Sequence, residues 1–222
     1  ASFVVPDLAG LSRWLFIPPH ARNGVAPGDL VSCALLRHPI KDGKPSAKIL
    51  KRLGDETTPG IENSYCAARA GLPEHWNEKS AQPLIDAASQ YRPLEDPARL
   101  DLTALPFVSI DAARTVDIDD ALHAEVTASG WQLSVAVADP TAYLADMENL
   151  PALLAERGTS VYFHGDVIPM LPEAVSQGLC ALAEDTPRPA LVCQMQVSEA
   201  GEIEGFEFHK AIIRSHAKLA YA

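Results

Sequence analysis

Long apolar runs are missing from this sequence: no stretch of about 18 uncharged apolar residues occurs, so no helix of it is expected to span a membrane. Its first ten residues, ASFVVPDLAG, contain no Lys or Arg and lack the basic start of a secretory signal. An initiator Met is missing too, and we expect the natural N-terminus to lie further upstream. Cysteine is sparse. Cys33, Cys66, Cys180 and Cys193 are scattered, form no C-x-x-C and have no His at zinc-ligand spacing, so reduced, packing thiols in a cytoplasmic protein are expected rather than a zinc site. Internal repeats and low-complexity tracts are likewise absent. What remains is 222 residues, 47% apolar and 21% charged, enough for one substantial core or a core with a small satellite domain.

Positive charge is short overall, with a formal net charge of -11, which argues at first against a nucleic-acid partner. Its distribution changes that reading. Residues 1 to 100 carry 12 Lys and Arg against 11 Asp and Glu, whereas residues 101 to 222 carry 6 against 18. Within the first part, Arg37, Lys41, Lys44, Lys48, Lys51 and Arg52 form a basic stretch interrupted only by Asp42. Either a small basic surface or an ordinary solvated hairpin would look this way.

Residues 29 to 37 and 46 to 52 read as two strands around KDGK, where Asp-Gly supplies hairpin geometry. A basic hairpin of this kind suits an OB-type barrel, here partial because an early strand is not recognisable. Residues 61 to 71 and about 75 to 90 read as helices. The first stops at Gly71-Leu72-Pro73, and Pro83 is expected to break or kink the second. The Pro-rich stretch from Tyr91 to Pro106 reads as a linker. From Phe107 onward the pattern becomes short β-rich runs: FVSID, ALHAEVT, WQLSVAVAD, PALVCQMQV and IEGFEFHKAIIRS. Residues 146 to 157 look helical, and Pro172-Glu173 opens a further short helix. The fold class is therefore α+β, with a mixed or antiparallel sheet in its second part.

Asp111, Asp117, Asp119 and Asp120 lie within ten residues, directly after the strand FVSI and before a second strand. Two carboxylates about 5 Å apart repel by roughly 3 kcal/mol at an effective dielectric near 20. Such a group must protonate, splay into water or hold a cation. Arg114 is the only base nearby in sequence, since no other Lys or Arg occurs between Arg99 and Arg157. Oxygen-only ligands favour Mg²⁺, Mn²⁺ or Ca²⁺ over zinc. An EF-hand is excluded: counting from Asp117, Leu122 stands at the sixth position where Gly is needed, and Ala128 at the twelfth where Glu is needed. By composition alone the run is equally a metal site or a solvated acidic loop.

The runs FVSIDAARTVDIDDALHAEV, WQLSVAVADPTAYL, RGTSVYFHGDVIPMLPEAVSQGLCAL and AIIRSHAKLAY, in that order, resemble the catalytic domain of the exoribonuclease II and ribonuclease R family. DLTALPFVSID and VADPTAY look closer to ribonuclease II. Residues 1 to 100 resemble more weakly that family's cold-shock-like OB domain and connecting helices. The resemblance implies an OB-type RNA-binding domain over residues 1–55, a helical connector over 56–95 and the N-terminal half of an RNB-type catalytic domain over 96–222. It also implies processive 3′-to-5′ hydrolysis of single-stranded RNA to nucleoside 5′-monophosphates, with Mg²⁺, or Mn²⁺ in its place. On the family pattern Asp111 and Asp120 match direct metal ligands. Asp117 matches a carboxylate supporting the metal largely through water, and Asp119 matches the one that grips the terminal nucleotide and is needed for cleavage.

Tyr162 matches a family tyrosine that stacks on a base near the 3′ end and helps set the length of the last product. With Arg37, Lys41 and Lys44 it completes the expected RNA contacts. Asp139, ending a strand before Pro140, reads as a turn cap or a supporting acid, and His164 and His216 read as structural or solvent-exposed. The resemblance further implies monomeric action. A second catalytic half bearing an arginine and a terminal RNA-binding module are expected elsewhere in the enzyme, so this piece alone would be incomplete. The competing expectation is a non-catalytic RNA-binding or regulatory homologue that keeps the fold without turnover.

Overall fold

Alternation of apolar and polar residues builds the first sheet of the computed structural model, which describes residues 1–7, 11, 13–38, 41–73, 75–144, 154 and 156–221. Contacts gather the chain into two units, residues 1–74 with 162–167 and residues 75–161 with 168–222. In the first unit, β3 (Leu30–Arg37) and β4 (Ser46–Gly54) form the expected antiparallel hairpin. Ala47 and Ile49 face a core with Leu15, Ile17 and Ala21, while Lys48 and Leu50 between them stay exposed. Gly43 takes the left-handed conformation at φ 79° that the turn requires.

Two strands precede this hairpin, β1 (Ser2–Val4) and β2 (Leu15–Ile17), giving the order β1-β2-β4-β3. At three residues each they are too short to show a period, which is why the sequence alone reveals no early strand. Helix α1 (Ile61–Ala70) ends where Gly71, at φ 66°, gives its N–H to Ala68 and Leu72 gives its own to Ala67, closing the last turn.

In the second unit, α2 (Glu78–Ala88) starts on Asn77, whose side chain accepts from the Ser80 N–H while Ser80 answers the Asn77 backbone. Pro83 does not break the helix, which continues through it. Leu84 and Ala88, both buried, anchor its inner face beyond the proline, and tertiary packing outweighs the lost backbone bond. Ala88 packs with Tyr143 and Leu144 of α3 (Thr141–Leu144) and with Leu171, Val175 and Cys180. The helix expected over residues 146 to 157 falls largely outside the described residues.

The main sheet follows the order β11-β8-β7-β6-β12-β5, formed by β5 (Leu100–Asp101), β6 (Phe107–Asp111), β7 (Asp120–Thr127), β8 (Gly130–Ala138), β11 (Pro187–Ser198) and β12 (Ile203–Ala220). Strand β12 also pairs with β11 through Arg214, then turns to parallel pairing with β6 from Ser215. That change of partner closes β11, β8, β7, β6 and β12 on themselves. Phe107, Ile118, Ala121, Ala136, Leu182, Ala190, Val192, Ala211 and Ile213 fill the interior, small residues alternating with large ones. Between β8 and β11 lie β9 (Val161–Phe163) and β10 (Asp166–Ile168), a two-stranded ribbon, and a short helix, Glu173–Val175, entered from Pro172. Among the described residues no helix is long and apolar enough to cross a membrane.

Candidate active site and nucleic-acid interface

The four aspartates sit where two strands of the closed sheet meet. Asp111 is the last residue of β6 and Asp120 the first of β7, so a loop of eight residues carries Asp117 and Asp119 between them. The loop is tied down at several points. Ile118, 5% exposed, drops its side chain into the barrel core, and its carbonyl accepts from the Leu182 N–H at 2.9 Å. The Asp119 carbonyl accepts from the Ala138 N–H at 2.8 Å, and the Asp111 carbonyl from the Tyr221 N–H at 3.2 Å. Burying Ile118 in a run of acids orients its neighbours: Asp117 and Asp119 flank it and lie away from the core.

A further tether comes from far along the chain. Lys218 on β12 donates its ammonium protons to the carbonyls of Ala113, at 3.2 Å, and Thr115. Arg114 remains the only base near the acids in sequence. The parallel pairing of β12 with β6, which sets Lys218 beside Ser109, brings a second cation to the loop.

Burial pushes the Asp119 carboxyl above its ordinary value, and the charges of Asp117, Asp120 and Asp111 push it further the same way. The other three acids are thus each within electrostatic reach of Asp119. Their oxygens are not drawn together into a finished ligand set: among the described residues no group of three or more His, Cys, Asp or Glu side chains is arranged to hold a metal ion. The donor chemistry nevertheless fits a hard divalent cation, since the group is oxygen-only and carries repulsion that such an ion relieves. Cys180, buried with Ala88, Tyr143 and Val175, is held as a thiol; burial drives it up to about 12, with Arg188 opposing and Asp139 and Asp119 adding to the rise.

Asp139 closes β8 and receives hydrogen bonds from the Thr141 hydroxyl and from Arg99 Nη2 at 2.8 Å. It is both a turn cap and half of a buried ion pair, and the second role has no signal in local sequence. His216 Nε2 lies 3.5 Å from the Thr103 carbonyl, a structural position.

The expected RNA contacts lie in the other unit. Arg37 at the end of β3 and Lys41 and Lys44 in the turn are exposed, at the tip of the hairpin. Arg52, at the other end of β4, is engaged by Asp29 and Asp55, each at 2.7 Å, and adds little to that surface. Tyr162 lies in β9 with 62% of its surface exposed, while Phe163 beside it is half-buried. Sequence reasoning missed an exposed aromatic group on the β1–β2 ribbon, where Phe3 packs against Phe16 at 5.8 Å and Trp14 at 6.1 Å between ring centres. Its only local signal was the run RWLFI.

An RNB domain model matches residues 99–222, more than half of the chain. The chain belongs to the RNB family. A cold shock domain model matches residues 3–77, in agreement with the OB-type sheet of the first unit. Among curated RNB relatives, Ribonuclease R of Escherichia coli is 37% identical over 220 residues, covering 99% of this chain and 27% of that protein. Ribonuclease R of Vibrio cholerae is 34% identical over 221 residues, covering 99% and 27%. Exoribonuclease 2 of Vibrio parahaemolyticus is 36% identical over 233 residues, covering 98% and 33%. The chain spans between 27% and 33% of the length of these three relatives, and the two protein names occur at overlapping identities. In structure it is similar to Mycoplasma genitalium RNase R in complex with ribose methylated single-stranded RNA, with TM-score 0.80, 21% identity and coverage of 99% of this chain and 36% of that one. It is also similar to a yeast pseudonuclease, with TM-score 0.72, 19% identity and coverage of 94% and 27%. At these identities the structural likenesses show a shared fold.

Proposed function

We propose that this chain is the acid-bearing part of a processive hydrolytic exoribonuclease that degrades single-stranded RNA from its 3′ end to nucleoside 5′-monophosphates. The observation that carries the reading is the loop between β6 and β7, which sets four aspartates, Asp119 repelled by the other three, at one end of the closed sheet of an RNB chain. Asp111, Asp117 and Asp120 would hold Mg²⁺, or Mn²⁺, with water filling the positions the acids leave open until RNA phosphate oxygens replace it. A bound ion there would polarise the phosphodiester and help form the attacking hydroxide. Asp119 orients the terminal nucleotide. Tyr162 offers its ring face to a base near the 3′ end, tolerant of sequence, and Arg37, Lys41 and Lys44 attract the phosphates of the incoming strand.

In this proposal residues 1–55 form the OB-type RNA-binding domain, 56–95 the helical connector and 96–222 part of the catalytic domain. The parent enzyme acts as a monomer in the cytoplasm, with further catalytic and RNA-binding residues supplied by the rest of its sequence.

The test is Mg²⁺-dependent release of nucleotides from a 3′-labelled single-stranded RNA by the full-length protein and by Asp119→Asn. Release should be lost in the variant, and equal release would remove Asp119 from the reaction. The second reading is an RNA-binding homologue without turnover, on the fold that a yeast pseudonuclease also has. It predicts that the unaltered protein retains RNA but releases no nucleotide.

A further inference from the structure

We propose that Lys218 is a positioning residue that holds the acid loop in the shape needed to receive a divalent cation; this rests on the reading of the aspartates as a metal site. The loop is anchored at its ends by strand pairing and near Asp119 by Ile118, whose side chain is buried and whose carbonyl is bonded to Leu182. Between those anchors, residues 112 to 116 bury little: Ala112, Ala113, Arg114 and Val116 are all exposed, and Thr115 is only half-buried. Within this segment the Thr115 N–H donates to the Ala112 carbonyl at 3.0 Å. Lys218 supplies what this stretch lacks. Its ammonium bridges the carbonyls of Ala113 and Thr115, more than one hundred residues away in sequence.

The bridge is rigid at its origin, because β12 pairs residue by residue with β6 there: Lys218 opposite Ser109 and Ala220 opposite Asp111. The same strand that fixes Asp111 therefore also fixes the middle of the loop, linking Asp111 to Asp117 by a path other than the loop backbone. A point donor with three protons suits two diverging carbonyls; a guanidinium, with donors in a planar fork, can reach both as well. An apolar side chain leaves both carbonyls to water and the segment free to move. Outer groups of this kind, which touch the loop rather than the ion, typically change metal affinity about 10- to 100-fold when removed.

The experiment measures Mn²⁺ binding to the full-length protein by calorimetry without RNA, for the unaltered protein, Lys218→Met, Lys218→Arg and Asp111→Asn, with the thermal midpoint of each in metal-free buffer. Lys218→Met should weaken Mn²⁺ binding at least about tenfold with little change in the metal-free midpoint, and Lys218→Arg should restore it to within about threefold. Lys218→Gln, with a shorter reach to one carbonyl at most, replaces the methionine variant if that one is unfolded, and should be weakened in the same sense. Unchanged affinity in Lys218→Met or Lys218→Gln overturns the assignment, as does an arginine variant as weak as the methionine one. Failure of the unaltered protein to bind Mn²⁺ ends the metal reading itself and this inference with it. Binding lost in Asp111→Asn but intact in Lys218→Met ends only the inference.

Discussion

Arg99 Nη2 donates to Asp139 Oδ2 across 2.8 Å, and the two side chains are only 4% and 8% exposed. Forty residues separate them in sequence, and the pair joins the segment before β5 to the end of β8, next to the backbone bond that holds Asp119. Burial pushes the Asp139 carboxyl upward, but the Thr141 hydroxyl, the Arg99 guanidinium and the Ala142 N–H outweigh it and leave the group below its ordinary value. Removing either partner strands a buried charge. Asp139→Leu or Arg99→Met is expected to cost roughly 3–5 kcal/mol, and the double variant carrying both changes less than the two single changes together. Urea unfolding of the four proteins checks this, and strictly additive losses would contradict it.

Gly130 opens β8 at φ 144°, and a Cβ placed there would lie 2.1 Å from the Val197 carbonyl oxygen. Backbone has to move to make room, so Gly130→Ala is expected to lower stability by more than about 2 kcal/mol. Gly205 in β12 has open space around the same position and an ordinary backbone angle. Gly205→Ala should be neutral or slightly stabilising. Paired thermal melts measure the contrast, and similar midpoints for the two variants would contradict it.

Asp55 receives two hydrogen bonds on Oδ1 from Thr57, from the hydroxyl at 2.6 Å and the N–H at 2.9 Å, and one on Oδ2 from Arg52 at 2.7 Å. The Thr57 bonds are the largest influence, and together these contacts hold the carboxyl at about 2 against the opposing pull of desolvation. Because the folded value is depressed, the resulting stabilisation is complete above the unfolded value near 3.9 and disappears as pH falls toward about 2. Thr57→Val keeps the N–H bond and loses the hydroxyl. Its Asp55 should titrate closer to the ordinary value by carboxyl NMR, and a titration matching the parent would refute the assignment.

Tyr162→Ala is expected to leave hydrolysis running while lengthening the final undegraded fragment, through loss of about 1–3 kcal/mol of base stacking. Tyr162→Phe, which keeps the ring, should preserve the parent pattern. Gel analysis of end products on a homopolymeric RNA decides it. Identical fragments from the alanine variant would assign the exposed ring no part in product length.

Much of this protein was determined by sequence alone because the signals are local. Strand alternation in ALHAEVT and WQLSVAVAD follows from one side of each run facing a core, and β7 and β8 occur where it says. Asp-Gly marks the first hairpin, and the order of the RNB motifs placed the acid loop. What only the tertiary structure decided depends on residues distant in the chain. Lys218 at the loop carbonyls, Arg99 against Asp139, and the closure of the sheet by β12 each need a strand register spanning tens of residues. The path through Pro83 likewise follows from the burial of Leu84 and Ala88, a packing gain that no local propensity contains. Periodicity reports which face of an element is apolar; the partner that covers it is chosen when the elements pack.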